Sequence, residues 1–461
     1  MPQSIAFHGA AQTVTGSRHL LTLNGKKILV DCGLFQGPRE IRDRNWEPLD
    51  FDPRELDGII ITHAHTDHIG FLPKMAALGY RGPIWATPAT IDLCKVSLPD
   101  SAKIQEEDAR YYNKHGLGRH QPALPLYTLE DANKILGMMI PVNYYQFTDL
   151  PGKATFQFRP AGHILGSAWA EIYFEDGQRI VMSGDIGRWD RPLLIDPDIP
   201  DFGEYVVCES TYGDRLHAEE DPISQIEEIF HKAIAMKSVV LVPSFAIGRT
   251  QELLWIINEL VLAGRLPKIP IYVDSPMANA ATLLYARHTE ELDKETRIDM
   301  REGHSPFAPD MVTLVRDMAM SKQLNNAKGP IVIIAGSGMA SGGRILHHMK
   351  HHIGNQSTML LFTGYQAEGT IGREILEGAP FVRIHGDEIP MAAQSAQLTA
   401  LSAHGDQSEL LRWLKGFKQP PKKMFIVHGD PEVQIVFQKK IQEELGWDVV
   451  IPAQGESFDL S

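Results

Sequence analysis

HAHTDH, from His63 to His68, stands directly behind the apolar run DGIIIT, from Asp57 to Thr62, and this junction decides how the chain reads. The run predicts a buried strand, and the polar cluster predicts the turn that ends it. Four possible metal ligands, His63, His65, Asp67 and His68, fall within six residues. In an extended segment alternate residues share a face, so His63 and His65 point together. A turn then carries Asp67 and His68 towards a second position, at the roughly 3.5 to 4 Å spacing usual for a pair of hydrolytic metal ions. Imidazole and carboxylate without thiolate favour zinc, with manganese and iron as alternatives. A solvated histidine-rich turn is the competing reading, and the buried strand in front of the cluster argues against it.

Two ions need more donors, and candidates stand at other strand ends. His163 lies in PAGHILGS from Pro160, Asp185 in VMSGDIGR from Val181, and His428 in FIVHGD from Phe425. Each follows an expected strand and is flanked by glycine, which permits close backbone approach. Singly, each reads as a hydrogen-bonded core histidine or a turn aspartate. Together they complete a site.

Further out, KKILVDCG from Lys26, TFQFRP from Thr155, AWAEIYF from Ala168 and RIVMSGD from Arg179 read as short strands. Between Leu93 and Asn143 the mixed text, such as SAKIQEEDARYYNKHG, suits helices and loops laid over a sheet. From Asp221 to Lys350, helical stretches (PISQIEEIFHKAIAM, RTQELLWIINELVLAG) separate apolar strands (SVVLVPS, IPIYVDS, PIVIIAGS), the pattern of a parallel α/β sheet. The tail returns to strand and helix units: QLTALSAH, a helix from Gln407, KKMFIVHGD and another helix.

Composition bounds the function. With 461 residues and 43% hydrophobic content the chain can bury a sizeable core. A formal charge of -14 argues against a broad basic surface for nucleic acid, so a polyanion has to be held locally. No apolar run approaches the roughly 18 to 20 residues of a membrane span, and MPQSIAFHGA lacks the make-up of a leader, so a cytoplasmic protein without membrane contact is expected. Cys32, Cys94 and Cys208 are odd in number and far apart, which suggests quiet buried thiols.

In order, HAHTDH, AGHILGS and SGDIG resemble the metallo-β-lactamase superfamily. ESTYG at Glu209, FAIGRTQE at Phe245, DSPMA at Asp274, GSGMASGGRILHH at Gly336, LSAHGD at Leu401 and IVHGD at Ile426 resemble its β-CASP branch. The likeness is greatest to the RNA-processing group that includes the endonuclease subunit of the cleavage and polyadenylation specificity factor and its prokaryotic homologues, and it spans almost the whole chain. The resemblance implies an αββα sandwich with an inserted α/β cap: sandwich over 1–210, β-CASP domain over 211–395, sandwich resumed over 396–461. It implies two Zn2+ per chain, one held by His63, His65 and His163, the other by Asp67, His68 and His428, with Asp185 bridging. It also makes His404 the proton donor to the leaving 3′-oxygen. Glu209, ending EYVVCES, orients that histidine, and Asp67, Glu209 and His404 form the catalytic set.

Substrate grip is expected from backbone amides. GSGMASGG, Gly336 to Gly343, opens a helix, so Ser337, Gly338, Met339, Gly342 and Gly343 are placed to cradle a phosphate, with Arg249 and Ser402 as further contacts. A plain tight turn, and pairing of Arg249 with Glu252 one helix turn on, are the alternatives. Arg344, His347, His348, Lys350, His351 and His352 form a local basic stretch, or else a solvated helix face. The expected function is a zinc-dependent endoribonuclease that hydrolyses single-stranded RNA by a two-metal-activated hydroxide, the strand lying in a cleft between sandwich and cap. The alternatives are a DNA nuclease of the same branch, against which His428 speaks, and a small-molecule ester or thioester hydrolase, for which the long 211–401 segment is superfluous. A homodimer is possible by resemblance.

Overall fold

Strands form where β-branched and aromatic residues run together, and their pairing, rather than their length, places the chemistry. The computed structural model describes residues 3–117, 121–217, 221–307, 310–364, 366–367, 369–398 and 401–460. It divides into two units, Met1–Leu216 with His404–Ser461, and His217–Ala403.

In the first unit two seven-stranded sheets pack face to face. One runs in the order Ser457–Asp459, Ser4–Gly9, Arg18–Leu23, Lys26–Val30, Gly58–Ile60, Ile84–Ala86, Met139–Pro141. The other runs Val449–Val450, Lys423–Val427, Tyr205–Glu209, Arg179–Met182, Ala168–Tyr173, Ala154–Pro160, Thr148–Leu150. Their facing side chains, among them Phe7, Leu21, Ile28, Val30 and Ile60 from the first and Phe156, Phe158, Ile172, Ile180 and Phe425 from the second, make one buried core. Behind the second sheet, Leu410, Leu411 and Leu414 of the helix Gln407–Leu414 and Phe437 and Ile441 of Pro431–Leu445 bury Val181, Val206 and Ile426. The other face of the first sheet, Leu29, Ile59 and Ile61, is equally closed to solvent. The sandwich read from the resemblance is therefore the fold that forms.

Direction explains where the site sits. Lys26–Val30 and Gly58–Ile60 pair in parallel, as do Arg179–Met182, Tyr205–Glu209 and Lys423–Val427. Ala154–Pro160, two antiparallel steps from Arg179–Met182, points the same way. The residues that follow these strands therefore emerge at common carboxyl ends, the edge where α/β sheets usually carry their ligands.

The second unit holds a six-stranded sheet, Val312–Leu314, Ile271–Val273, Ile331–Ala335, Val239–Pro243, Thr358–Phe362, Gln394–Gln397, with every pairing parallel. Asp221 caps Pro222–Ala235 by accepting from the amides of Ile223 and Ser224. That helix and Arg249–Leu262 cover the sheet through Ile226, Phe230, Leu253 and Ile257. One expectation shifts: QLTALSAH is not a strand unit in its described part. The strand is Gln394–Gln397, pairing with Thr358–Phe362, and Leu401–His404 bends away as loop.

Candidate metal centre

The turn that carries HAHTDH is pinned from beside it. Cys32 N–H donates to the carbonyl of His68 (2.7 Å) and Leu34 N–H to that of Thr66 (3.0 Å). Gly33 permits this approach, since a Cβ there would stand 1.5 Å from the Asp67 carbonyl oxygen. The loops of His163 and Asp185 lock in the same manner. Gly187 N–H donates to Ala161 O at 2.8 Å, and a Cβ on Gly187 would stand 2.0 Å from Gly162 O.

So held, all seven expected ligands converge. One nitrogen or oxygen each of His63, His65, His163 and Asp185 lie within 4.8 Å of one another, as do those of Asp67, His68 and His428. Asp185 stands between the groups: its Oδ2 is 3.3 Å from His63 Nε2 and 3.4 Å from His163 Nε2, and its Oδ1 is 3.2 Å from His68 Nε2 and 3.7 Å from His428 Nε2. His63, His68, His163, Asp185 and His428 are buried, while His65 and Asp67 are half-buried.

Hydrogen bonds behind the ring decide which nitrogen is bare. His68 Nδ1–H donates to Asp31 Oδ2 (2.8 Å), so Nε2 is the nitrogen turned to the centre; burial opposes charge on this ring, but the Asp185 and Asp31 carboxylates outweigh it and hold it well above the usual imidazole range. Thr62 gives its hydroxyl proton to Asp31 (2.9 Å), so its oxygen accepts from His63 Nδ1–H (3.1 Å) and bares His63 Nε2. Thr211 repeats the device, donating to the His428 carbonyl (3.2 Å) and accepting from His428 Nδ1–H (3.0 Å). His68 Nε2 stands 3.1 Å from His428 Nε2. Asp185 Oδ1 is buried with no hydrogen-bond partner among the described residues. Acceptors crowded on acceptors in a dry site are what divalent cations satisfy, and the nitrogen and oxygen donor set suits zinc. Burial pushes His65 down to about 3, and His63 and His163 also sit below the usual imidazole range for that reason. These rings stay neutral, as metal ligands must.

Beside the centre, His404 Nδ1–H donates to Glu209 Oε1 at 3.1 Å, and the same nitrogen lies 3.9 Å from Asp185 Oδ2. Burial opposes charge on this ring, yet the Glu209 and Asp185 carboxylates outweigh it and lift His404 up to about 9. Glu209 is itself fixed, its two oxygens accepting from the amides of Ile186 (2.7 Å) and Thr211 (3.2 Å). A buried carboxylate, an imidazole whose charged form it favours and seven converging side chains of ligand type fit a hydrolytic metal site.

Comparison with known proteins gives the family. The model of the metallo-beta-lactamase superfamily matches residues 16–79, that of the Beta-Casp domain 250–375, and that of the Zn-dependent metallo-hydrolase RNA specificity domain 388–452. Ribonuclease TTHA0252 of Thermus thermophilus is 40% identical over 453 residues, which cover 98% of this chain and 99% of that one. The chain belongs to the β-CASP branch of the metallo-β-lactamase superfamily. This β-CASP metallo-hydrolase is also 30% identical to an RNase J-like protein of Methanocaldococcus jannaschii, over 98% of both chains. It is 29% identical to the Transcription termination factor FttA of Methanosarcina mazei, over 95% of this chain and 68% of that one. A protein of unknown function from Enterococcus faecalis V583 shares the fold, with a TM-score of 0.57, 12% identity and full coverage of both chains.

In the second unit of the β-CASP chain the glycine-rich loop is partly self-satisfied. Ser337 Oγ accepts from the amides of Ser341 (3.0 Å) and Gly342 (3.2 Å), and Ser337 N–H donates to Gly342 O (3.1 Å). Arg249 pairs with Glu252, the alternative raised from the sequence. Ser402 is half-buried, two residues before His404. The basic stretch is largely turned inward: Arg344 (2.5 Å) and His348 (2.7 Å) both donate to the buried Asp274, His352 donates to Leu324 O, and Lys350 pairs with Asp387. Only His347 and His351 of the six stand exposed. Burial opposes ionisation of Asp274, and the hydrogen bonds from His348, Ser321 and Arg344 overcome it, holding the carboxyl below its usual range.

Sequence reasoning missed Asp31, Thr62 and Thr211. For Asp31 a signal was present: VDCG ends a strand with an acid and a glycine, as MSGD does at Asp185. Because Asp31 sets the tautomers of His68 and His63, Asp31→Asn is expected to weaken metal binding about 10- to 100-fold, read by titration against a chelating indicator. Unchanged affinity would remove Asp31 from the centre.

Proposed function

We propose that the chain is a metal-dependent ribonuclease that cuts single-stranded RNA internally, with two zinc ions held by His63, His65, His163, Asp67, His68 and His428 and shared by Asp185. The observation that carries this reading is Asp185, whose two oxygens face two separate imidazole groups. When bound, such ions would bring the pKa of an attacking water towards neutrality and offset charge on a phosphate. The protein's own residues do the rest. Asp31, Thr62 and Thr211 fix the ligand rings so that nothing reorganises during reaction. Glu209 holds His404 by Nδ1 and favours its charged form, so the other ring nitrogen carries the proton that the leaving 3′-oxygen needs.

RNA as substrate is supported by the names of the relatives and by the imidazole at His428. Cradling of a phosphate by Gly338, Met339, Gly342 and Gly343, aided by Ser337, and contacts from Ser402 and Arg249, belong to the same proposal; Arg249 has to leave Glu252 to take part.

The test is direct. Zinc-loaded protein incubated with end-labelled single-stranded RNA is expected to release internal fragments, to stop when a chelator strips the metal, and to resume when zinc is returned. Faster cleavage of DNA would favour a DNA nuclease, and turnover of esters or thioesters alone a small-molecule hydrolase. Either result sinks the ribonuclease reading.

A further inference from the structure

We infer that the exposed end of the helix Pro88–His115 is a contact surface for single-stranded RNA, remote from the metal centre; this deepens the ribonuclease reading and rests on it. The helix starts at that centre. Its capping residue Thr87 and its third residue Thr90 both donate to the Gly166 carbonyl, at 2.6 and 2.9 Å, in the loop that carries His163. It runs 28 residues, and its last turns are exposed. Beyond Ala109, every described residue through Leu117 is exposed, with Tyr111 at 55%, Tyr112 at 44% and Leu117 at 63%. About 1.5 Å per residue puts this end roughly 30 Å along the helix from Thr90.

The composition of that end departs from the rest of the chain. Beyond Glu106, Glu107 and Asp108 no Asp or Glu stands before Glu130, in a protein of net charge -14, whereas Arg110 and Lys114 do. Arg110 and Lys114 are one helix turn apart, and Tyr111 lies against His115 with ring centroids 4.4 Å apart. The returning chain is tied to this end, Asn113 exchanging two hydrogen bonds with the Ala123 backbone, yet Tyr111, Tyr112 and Leu117 stay exposed beside it and are available to something outside the fold. Cations for the backbone and aromatic faces for unpaired bases are how single strands are held without sequence preference. Duplex RNA, with its bases stacked inward, offers nothing for Tyr111 and Tyr112 to stack on. A second copy of this chain is disfavoured, since two such ends would bring cation to cation. None of the three family models that match the chain covers this helix. A strand that reaches both places extends well past the scissile bond, so the surface acts on long RNA and not on short.

The test compares the parent with a variant combining Arg110→Gln, Tyr111→Ala, Tyr112→Ala and Lys114→Gln, all exposed helix positions where these residues are tolerated. On single-stranded RNA of about 16 nucleotides the variant's KM is expected to rise about tenfold or more at unchanged kcat. Two lost cations also lower the slope of log KM against log salt by about 1.4. RNA of about 4 nucleotides and bis(para-nitrophenyl) phosphate, which need only the metal centre, are expected to be turned over as by the parent. An unchanged KM on the long RNA overturns the proposal alone. The same KM together with a dimer-to-monomer change in sedimentation overturns it in favour of an interface between copies. A parent that hydrolyses the small diester but neither cleaves nor binds RNA overturns the ribonuclease reading, and the proposal with it.

Discussion

Asp185→Asn is expected to abolish hydrolysis, with kcat/KM falling on the order of 10⁴-fold or more and the metal content of the protein dropping in parallel. The argument is geometric. Asp185 Oδ2 faces His63 and His163, and Oδ1 faces His68 and His428, so a single carboxylate serves both ligand groups. An amide of the same size puts an N–H donor where one group needs an acceptor, and it removes the negative charge that binds cations. Loss of the fold has to be told apart from loss of the site, because Asp185 lies among buried imidazoles and neutralising it also removes their partner. Metal analysis by mass spectrometry, kcat/KM on labelled RNA and thermal unfolding, measured on one preparation, separate these effects. Full activity with full metal content would remove Asp185 from the site.

The second large effect belongs to His404. His404→Ala is expected to lower kcat about 10²- to 10⁴-fold while leaving metal content intact. The ring lies 3.9 Å from Asp185 through the same nitrogen that donates to Glu209, so ligation through that nitrogen would break the bond to Glu209. On the proposed role, the substitution removes a proton that the Glu209 and Asp185 carboxylates favour on this ring. An RNA analogue with a sulfur leaving atom, which departs without needing a proton, distinguishes this role: the variant should cleave it nearly as fast as the parent. Equal loss of metal and activity would reassign His404 as a ligand, and equal slowing on both substrates would make its role structural.

Much of the centre was legible because ligand chemistry sits at strand ends, and strand ends are written locally. HAHTDH, AGHILGS, SGDIG and IVHGD each announce themselves by an apolar run, a turn and a metal-binding side chain. Asp31 shows the limit of that reading. In VDCG it looks like any acid closing a strand, and only the three-dimensional arrangement reveals that it orients His68 directly and His63 through Thr62. The basic stretch from Arg344 to His352 shows it from the other side. Six side chains that read as a cationic helix face divide by helical geometry, and the buried Asp274 draws Arg344 and His348 inward while His347 and His351 stay in water. Spacing along the chain tells which side chains share a helix face, but not what waits opposite that face.

The sequence by itself determined which side chains of ligand type stand at the ends of strands, since strand periodicity and turn residues act over a few neighbours. The sandwich with its α/β insertion came from the ordered motifs as a resemblance to a family, not from local pattern. Only the tertiary structure decided which ligands meet. His68 and His428 are 360 positions apart and yet 3.1 Å apart in space, because parallel pairing brings the carboxyl ends of distant strands to one edge. It also decided which nitrogen each imidazole offers, since that depends on Asp31, Thr62 and Thr211 lying behind the rings, and no run of neighbouring residues encodes such an arrangement.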